Sequence, residues 1–251
     1  MARVLILSSF VACGHVGLSA GQPVLQALGH AVTGLPTILL SNHPGFSAVA
    51  GEHVPVPHLQ RMLEALAGNG WLQRYDAVLT GYLPSAGHVQ FAAGMIDRIR
   101  AFRPDTRIVV DPVLGDTPKG LYMPNEAAEA IRDRLMPLAD VLTPNAFELD
   151  WLDGAAGVSR VLVTSAEQGD QFGVFDTASQ LFHRVERRQG VPHGVGDVFS
   201  ALIAAGLPVP QALGHLQALI EASLGHAHLQ IAEALTEWTR ADPPEGSRNG
   251  L

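Results

Sequence analysis

Six short apolar runs, each ending on glycine, proline or a polar residue, alternate with helical patterns along most of this chain. The runs are RVLILSS (3–9), PTILLS (36–41), YDAVLTGY (75–82), RIVVDPV (107–113), ADVLTPN (139–145) and SRVLVTSA (159–166). Strands that are apolar on both faces are typical of a parallel sheet covered by helices. The sequence therefore predicts an α/β fold with a mostly parallel central sheet and helices on both faces.

The segments between these runs have helical patterns. Residues 58–68 and 94–102 place apolar side chains three and four positions apart, and 125–138 carries acids early and bases late. Residues 171–187 instead alternate, which predicts an antiparallel hairpin at the edge of the sheet. The stretch 198–240 is expected to be helical.

Length and composition limit the class of protein. A chain of 251 residues with 47% hydrophobic and 16% charged residues is typical of a globular protein. We expect one domain over 1–240 and a frayed tail over 241–251. The net charge of -8, with one small basic cluster at Arg184, Arg187 and Arg188, argues against a nucleic-acid surface.

The N-terminal segment MARVLILSSFVACGHVG superficially resembles a signal peptide, but it fits better as a first buried strand followed by a glycine turn. No stretch approaches the roughly 18 apolar residues of a membrane span. The single cysteine, Cys13, excludes an intrachain disulfide and is expected to be a buried small side chain. These features predict a soluble cytoplasmic protein without a membrane partner.

Polar or glycine residues follow every one of the six runs. Ligands of open α/β sheets bind outside the carboxyl ends of the strands, so these residues are expected to line one crevice. They are Ser9, Asn42, His43, Gly81, Tyr82, Asp111, Asp116, Asn145, Glu148, Thr164 and Ser165.

The segment HGVGDVFSALIAAG begins an apolar helix with two glycines and an acid. Asp197 in a first helical turn suits the helix dipole by itself. Alternatively, the amides of Gly194, Val195 and Gly196 bind an anion, and Asp197 accepts a proton from an attacking hydroxyl. A P-loop is excluded because its spacing is missing, and the only lysine is Lys119.

Carboxylates also mark the segment DPVLGD. It could be a simple proline-containing turn, but Asp111 and Asp116, with Glu148 from the next run, could hold Mg²⁺ through oxygen ligands. A histidine metal site is not expected, because His226 and His228 are two apart on a predicted helix and so point to different faces. GHVG (14–17) lacks the GxGxxG pattern of a Rossmann cofactor site.

Taken together, these segments resemble the pyridoxal kinases of the ribokinase-like superfamily. The resemblance covers most of the chain up to Asp197, in the family's order. The matching segments are SFVACGHVG (9–17), SNHPGF (41–46), LTGY (79–82), DPVLGD (111–116), PLADVLTPNAFE (137–148), VTS (163–165) and GVGD (194–197).

The resemblance implies a ribokinase-like fold and ATP-dependent phosphorylation of the 5′-hydroxyl of pyridoxal, pyridoxine or pyridoxamine. It implies that Asp197 is the base, that the amides of 194–196 form the anion hole, and that the enzyme is a homodimer using Mg²⁺ and often a monovalent cation such as K⁺. The implied substrate residues are Ser9, which would bond the pyridine ring, and His43, Pro44, Tyr82 and Tyr122. The implied residues around the ATP phosphates and the metal are Asp111, Asn145, Glu148, Thr164 and Ser165.

The chain departs from the family pattern at a few places. Pro44 and Leu18 stand where the family usually has threonine and asparagine, which leaves open a kinase of hydroxymethylpyrimidine. Val195 stands where GTGD is usual, although a valine variant occurs in one branch of the family. Between ELDWL and the next run only DGAAGV intervenes, so the crossover is either cut down or replaced by a tight turn in an altered arrangement. Since this shortening (152–160) falls on the nucleotide side, a pyridoxal-binding protein with lost or weakened ATP binding is a third hypothesis.

Overall fold

A six-stranded sheet forms the centre of the computed structural model, which describes residues 1–243. The strands are β1 Arg3–Val11, β2 Ala31–Leu40, β3 Gly51–His53, β4 Ala77–Thr80, β5 Arg107–Val110, β6 Gly115–Asp116, β7 Gly120–Leu121, β8 Val141–Leu142, β9 Leu162–Gln168, β10 Gln171–Asp176 and β11 Leu181–Val185. The strand order of the central sheet is β3-β2-β1-β4-β5-β8, and a three-stranded sheet and a two-stranded hairpin accompany it.

Helices cover both faces of the central sheet, as the alternating pattern predicts. They are α1 Leu18–Ala27, α2 Val56–Gly68, α3 Ala86–Phe102, α4 Asn125–Ala130, α5 Ala146–Trp151, α6 Val195–Ala204, α7 Val209–Ser223 and α8 Leu235–Trp238. The predicted helix 125–138 is α4 followed by a wider turn over 131–135 and a tight turn over 136–138.

The central strand β1 shows why its sequence is continuously apolar. It pairs in parallel with β2 and β4, and its alternate residues face opposite layers. Leu5 and Leu7 belong to the core under α2 and α3, whereas Val4 and Ile6 belong to the core under α1 and α6. Because both faces are buried, no polar alternation is possible before the strand reaches its carboxyl end.

The shortened segment after α5 retains a parallel crossover. Parallel bridges join Leu142 to Val161 and Asn145 to Thr164, so β9 continues the strand order beyond β8. The connection consists of α5 and one tight turn over 153–155. Of the two arrangements considered, the cut-down crossover is the one found. The strands β9, β10 and β11 then form the antiparallel edge that the alternating pattern predicts.

Two expectations about single residues are wrong. Cys13 is exposed, because the chain has already left the sheet at Val11 and runs beside Ser41. Neither His226 nor His228 is on a helix, since α7 ends at Ser223 and the stretch 198–240 is helical only in α6, α7 and α8.

At the C-terminal end, the carbonyl of Asp242 packs closely on Gly214 of α7. The rest of the predicted frayed tail, 244–251, lies outside the described residues. No helix within residues 1–243 combines the length and the apolar character needed to cross a bilayer.

Candidate active site

A cleft of about 1210 Å³ lies along the carboxyl ends of the parallel strands. Every residue that the sequence assigns to substrate, nucleotide, metal or catalysis lines it. These residues are Ser9, His43, Pro44, Tyr82, Asp111, Asp116, Tyr122, Asn145, Glu148, Thr164, Ser165, Gly194, Val195, Gly196 and Asp197. The expectation that Asn42 and Gly81 also line the cleft is wrong, because the Asn42 side-chain amide donates to carbonyls of its own loop and Gly81 packs against Ser8. The placement agrees with the assigned site, and the individual roles remain predictions.

The start of α6 occupies the middle of this cleft, because α6 packs on β4 and β5 at the centre of the sheet. The first amides of a helix have no partner within it and carry the positive end of the helix dipole. Asp197 lies in this first turn. Burial raises the pKa of its carboxyl group to about 6, although the backbone amides of Gly17 and of Asp197 itself lower it.

The two glycines before Asp197 have different reasons to be glycine. Gly194 has φ +104, and a side chain there would meet the carbonyl oxygen of His15 at 1.9 Å. It therefore lets the helix begin directly against the segment that follows β1. Gly196 has an ordinary φ and nothing within 4 Å of a would-be Cβ. Packing does not require glycine here, so open space is kept beside the amide of Gly196.

Three further carboxylates share this region with Asp197. Burial, followed by the charges of Glu148 and Asp197, raises the pKa of Asp111 well above its usual range. Burial also raises the pKa of Glu148 to about 7, and the charge of Asp116 adds to that rise. One buried oxygen of Asp116, Oδ1, has no hydrogen-bond partner among the described residues. The cluster therefore concentrates negative charge that a bound cation would offset.

Asp111 is held at the end of β5 by a strained turn and a hydroxyl chain. Val113 has φ +42, a conformation that is unusual for a β-branched residue, and its amide bonds the Asp111 carboxylate. Ser200 of α6 donates to Asp111 Oδ2 at 2.8 Å and lies 2.8 Å from the hydroxyl of Thr143. These contacts fix the carboxylate relative to α6.

Asn145 and Glu148 mainly shape the wall of the cleft. They form a capping box on α5, in which Asn145 Oδ1 accepts from the Glu148 amide at 2.9 Å and Glu148 Oε2 accepts from the Asn145 amide at 2.8 Å. Glu148 Oε1 also accepts from the Leu114 amide at 2.8 Å. Asn145 Nδ2 donates to the Gly115 carbonyl at 2.9 Å. The two side chains thus tie α5 to the Asp111 turn.

Thr164 and Ser165 reach the cleft from β9. The Thr164 hydroxyl donates to the Pro144 carbonyl at 3.2 Å. Ser165 is exposed, and its φ of +53 departs from the ordinary strand conformation.

Tyr82 stands in a fixed position near the β1 side of the cleft. Its amide donates to Ser8 Oγ at 3.2 Å, its carbonyl accepts from Thr37 at 2.7 Å, and its hydroxyl donates to the Tyr122 carbonyl at 3.3 Å. Burial, and then Asp116, raises the pKa of Tyr122. Both phenols therefore remain neutral donors near neutral pH.

The loop between β2 and β3 closes one end of the cleft with His43, Pro44, Gly45 and Val49. His43 stacks on His193, with ring centroids 3.8 Å apart and an interplanar angle of 23°. Lys119, on the β6–β7 hairpin, also lines the cleft. Sequence reasoning did not assign His193 or Lys119 to the site. Their only signals are the position of His193 directly before the GVGD segment and the fact that Lys119 is the single lysine.

The opposite end of the cleft is apolar and was also missed. Its walls are the β10–β11 hairpin, through Phe172, Val174 and Val185, and α7, through Leu213, Leu216 and Ile220. Arg188 bridges the two walls by pairing with Glu221 of α7 at 2.5 Å and with Glu186 at 2.5 Å. Only the alternation of the hairpin and the periodicity of α7 could have indicated this slot.

Comparison with known proteins identifies the family. The model of the phosphomethylpyrimidine kinase family matches residues 17–234. A pyridoxine/pyridoxal/pyridoxamine kinase of Bordetella avium is 37% identical over 227 residues, which cover 81% of this chain and 77% of that protein.

Comparison with solved structures supports the same family. Pyridoxal kinase from Leishmania donovani in complex with ADP and pyridoxamine superposes with a TM-score of 0.84 and 30% identity, covering 97% of both chains. Pyridoxal kinase from Entamoeba histolytica gives a TM-score of 0.84 at 25% identity, covering 97% of this chain and 98% of that one. This chain is therefore a kinase with the ribokinase-like fold and belongs to the pyridoxal kinase family.

Proposed function

We propose that this chain transfers the γ-phosphate of ATP to the 5′-hydroxyl of pyridoxal, pyridoxine or pyridoxamine. The observation that carries the proposal is the position of Asp197. Its carboxylate stands at the amide-rich start of α6, between the loop end and the apolar end of one cleft. The Leishmania structures with ADP and pyridoxamine, and with ADP and pyridoxine, support this pair of ligands.

Catalysis follows from positioning and charge. Asp197 accepts the proton of the 5′-hydroxyl as that oxygen attacks the γ-phosphorus of ATP, and the bond from this phosphorus to the β,γ-bridging oxygen breaks to release ADP. The amides at 194–196 donate to the phosphate oxygens on which charge accumulates, and the open space at Gly196 admits them. Because burial holds the pKa of Asp197 near 6, the carboxylate is ionised at pH 7 and still basic enough to take the proton.

The vitamer binds at the loop end of the cleft. Ser9 bonds the pyridine ring, and His43, Tyr82 and Tyr122 surround it. Pro44 supplies an apolar contact rather than a donor. Hydrogen bonds at its amide, carbonyl and hydroxyl hold Tyr82 in one position in the wall of the cleft.

The nucleotide occupies the opposite half. The adenine lies in the apolar slot between Phe172 and Leu216, and the phosphates extend past Thr164 and Ser165 to the start of α6. The shortened segment 152–160 is not among the cleft residues. The slot is built instead by the hairpin and α7, which supports ATP binding over the hypothesis that it is lost.

Mg²⁺ suits the acidic cluster. Within residues 1–243 no three His, Cys, Asp or Glu side chains converge to hold a metal by themselves. However, Mg²⁺ usually binds through one or two carboxylates together with water and substrate phosphates, and the unpartnered Oδ1 of Asp116 fits that role. Asp116 would contact the ion directly, and Asp111 and Glu148 would hold it through bound water, so that the ion would neutralise phosphate charge. From the resemblance to the family, the proposal also includes a monovalent cation such as K⁺.

We also propose a cytoplasmic homodimer. The exposed apolar pair Phe10 and Leu39, adjacent on β1 and β2, supports an association surface. Sedimentation equilibrium distinguishes a dimer from a monomer.

A second candidate substrate is hydroxymethylpyrimidine. The matching family model is named for phosphomethylpyrimidine kinase, and Pro44 departs from the usual pyridoxal kinase pattern. Turnover of the two alcohols by one enzyme preparation decides between them.

The deciding experiment uses purified protein with pyridoxal, ATP and Mg²⁺, and reads pyridoxal phosphate by absorbance. We expect Asp197→Asn to lower kcat by about 10²- to 10⁴-fold, the usual range for loss of a positioned base. Asp105→Asn, at an exposed position outside the cleft, is the matched control. Retained turnover in folded Asp197→Asn protein would refute the base, and no turnover by the wild-type chain would refute the proposed reaction.

A further inference from the structure

The loop between β2 and β3 forms one wall of the vitamer half of the cleft. It is bonded within itself, because Asn42 Nδ2 donates to the Ala48 carbonyl at 2.9 Å and the Ala50 amide donates to Ser41 Oγ at 3.0 Å. Most of its residues are exposed. Apart from one backbone bond, in which the Cys13 amide donates to the Ser41 carbonyl at 2.8 Å, its position over the cleft depends on the contacts of its side chains.

Two aromatic contacts supply that anchorage. His43 stacks on His193, the residue directly before Gly194, which caps the start of α6. Phe46 packs at a tilt on His228, with centroids 5.4 Å apart. Only the first contact joins the loop to the catalytic turn, because His193 is the covalent neighbour of Gly194.

The stack and a hydrogen bond from Gly45 leave His43 with one ring orientation and one tautomer. The Gly45 amide donates to His43 Nδ1 at 3.0 Å, so this nitrogen carries no proton and Nε2 carries one. Burial, with the charges of His193 and Lys119, lowers the pKa of His43 to about 4, so the ring stays neutral at pH 7. His193 fixes the plane of the ring, and Gly45 fixes its rotation.

We propose that His193 is a positioning residue for the vitamer: it stacks on His43 and holds that ring, with its Nε2 proton, against the bound aromatic alcohol. This inference rests on the proposed function. It predicts that His193 affects binding of the acceptor rather than the chemical step or the nucleotide, although it lies next to the anion hole.

The first test separates KM from kcat. We expect His193→Ala to raise KM for pyridoxal by about 3- to 10-fold, the range of an aromatic pair, while kcat and KM for ATP change by less than about twofold. His193→Phe should restore most of the loss because it keeps a flat ring, and His193→Leu should not. His226→Ala, an exposed histidine outside the cleft, is the control.

The second test asks whether His193 acts through His43. In a double-mutant cycle, His193→Ala should have little further effect on KM for pyridoxal once His43 is alanine. A fall in kcat with unchanged KM, equal rescue by Leu and Phe, or additive effects in the cycle would each overturn the proposal. These outcomes require an active wild-type enzyme, so they differ from failure of the proposed reaction, in which the wild type forms no pyridoxal phosphate.

Discussion

At the scale of single residues, we expect the protonation of Asp197 to control both rate and stability. Its pKa of about 6 means that the carboxylate, which is the proposed active form, is lost as the pH falls through that value. We expect kcat/KM for pyridoxal to be level above about pH 7 and to fall about tenfold per pH unit below pH 6. Initial rates across pH 4.5–8.5, with buffers matched in ionic strength, check this at about half-unit steps. A flat profile would contradict it.

The same pKa predicts a stability cost above pH 6. The raised pKa favours the protonated form in the folded state, so this contribution to stability is present at low pH and lost as the pH rises through about 6. Asp197→Asn removes the buried charge. We expect it to increase the free energy of unfolding by about 2–3 kcal/mol at pH 8, and much less at pH 4.5. Urea unfolding at both pH values measures this difference, and Asp105→Asn should show none.

Motifs predict the strand-end residues because their positions along the chain fix which edge of the sheet they reach. His193 and Lys119 could not be assigned in this way. Their places in the cleft depend on how a loop and a short hairpin fold back over the sheet, and no periodicity records that. The exposed Cys13 has the same explanation, since the turn after β1 has no apolar pattern to predict its burial.

At the scale of elements, the start of α6 offers a matched pair of glycines. Gly196→Ala adds a methyl group where nothing lies within 4 Å, so the melting temperature should not fall. The methyl group should, however, enter the space beside the amides, and we expect kcat/KM to fall by at least about tenfold. Gly194→Ala should instead lower the melting temperature, because its Cβ would collide with the His15 carbonyl and destabilise the fold. Thermal melting and kinetics on both variants check the contrast; equal behaviour of the pair would refute it.

Glu148 links α5 to the turn after β5, and its removal should lower the free energy of unfolding. Glu148→Ala leaves the buried amide of Leu114 and the amide of Asn145 without acceptors. We expect a loss of about 2–3 kcal/mol in the free energy of unfolding, measured by urea. Glu129→Ala on exposed α4 surface serves as the control. A loss below about 0.5 kcal/mol, as at ordinary surface sites, would contradict the capping role.

The long elements can be predicted from sequence periodicity, since α2 and α3 have the apolar spacing that their burial requires. The short elements cannot be predicted in this way. The strand β3 and the hairpin β6–β7 are too brief to carry a pattern, and their pairing is decided by tertiary contacts.

At the scale of the whole molecule, we expect the strand order to separate the two substrates. The β2–β3 loop and the β10–β11 hairpin lie at opposite ends of the sheet order, and α6 lies between them. We expect ADP to slow amide hydrogen exchange over 171–185 and 194–197, and pyridoxal to slow it over 41–49. Exchange measured by mass spectrometry with each ligand alone checks this. Protection of the same segments by both ligands would contradict the division of the cleft.

The crossover after α5 shows what sequence could not decide at this scale. A gap of a few residues is compatible with a tight turn or with a shortened parallel connection. The choice depends on whether β9 can reach the edge of β8, which is a property of the assembled sheet.

The single lysine in the lining of the cleft also gives the protein a built-in reporter. Lys119 is its only side-chain amine, so the α-amine of Met1 is the only other amine that an acylating reagent can modify. The mass of the proteolytic peptide that contains Lys119 then records, without any engineered tag, whether a ligand shields that end of the cleft.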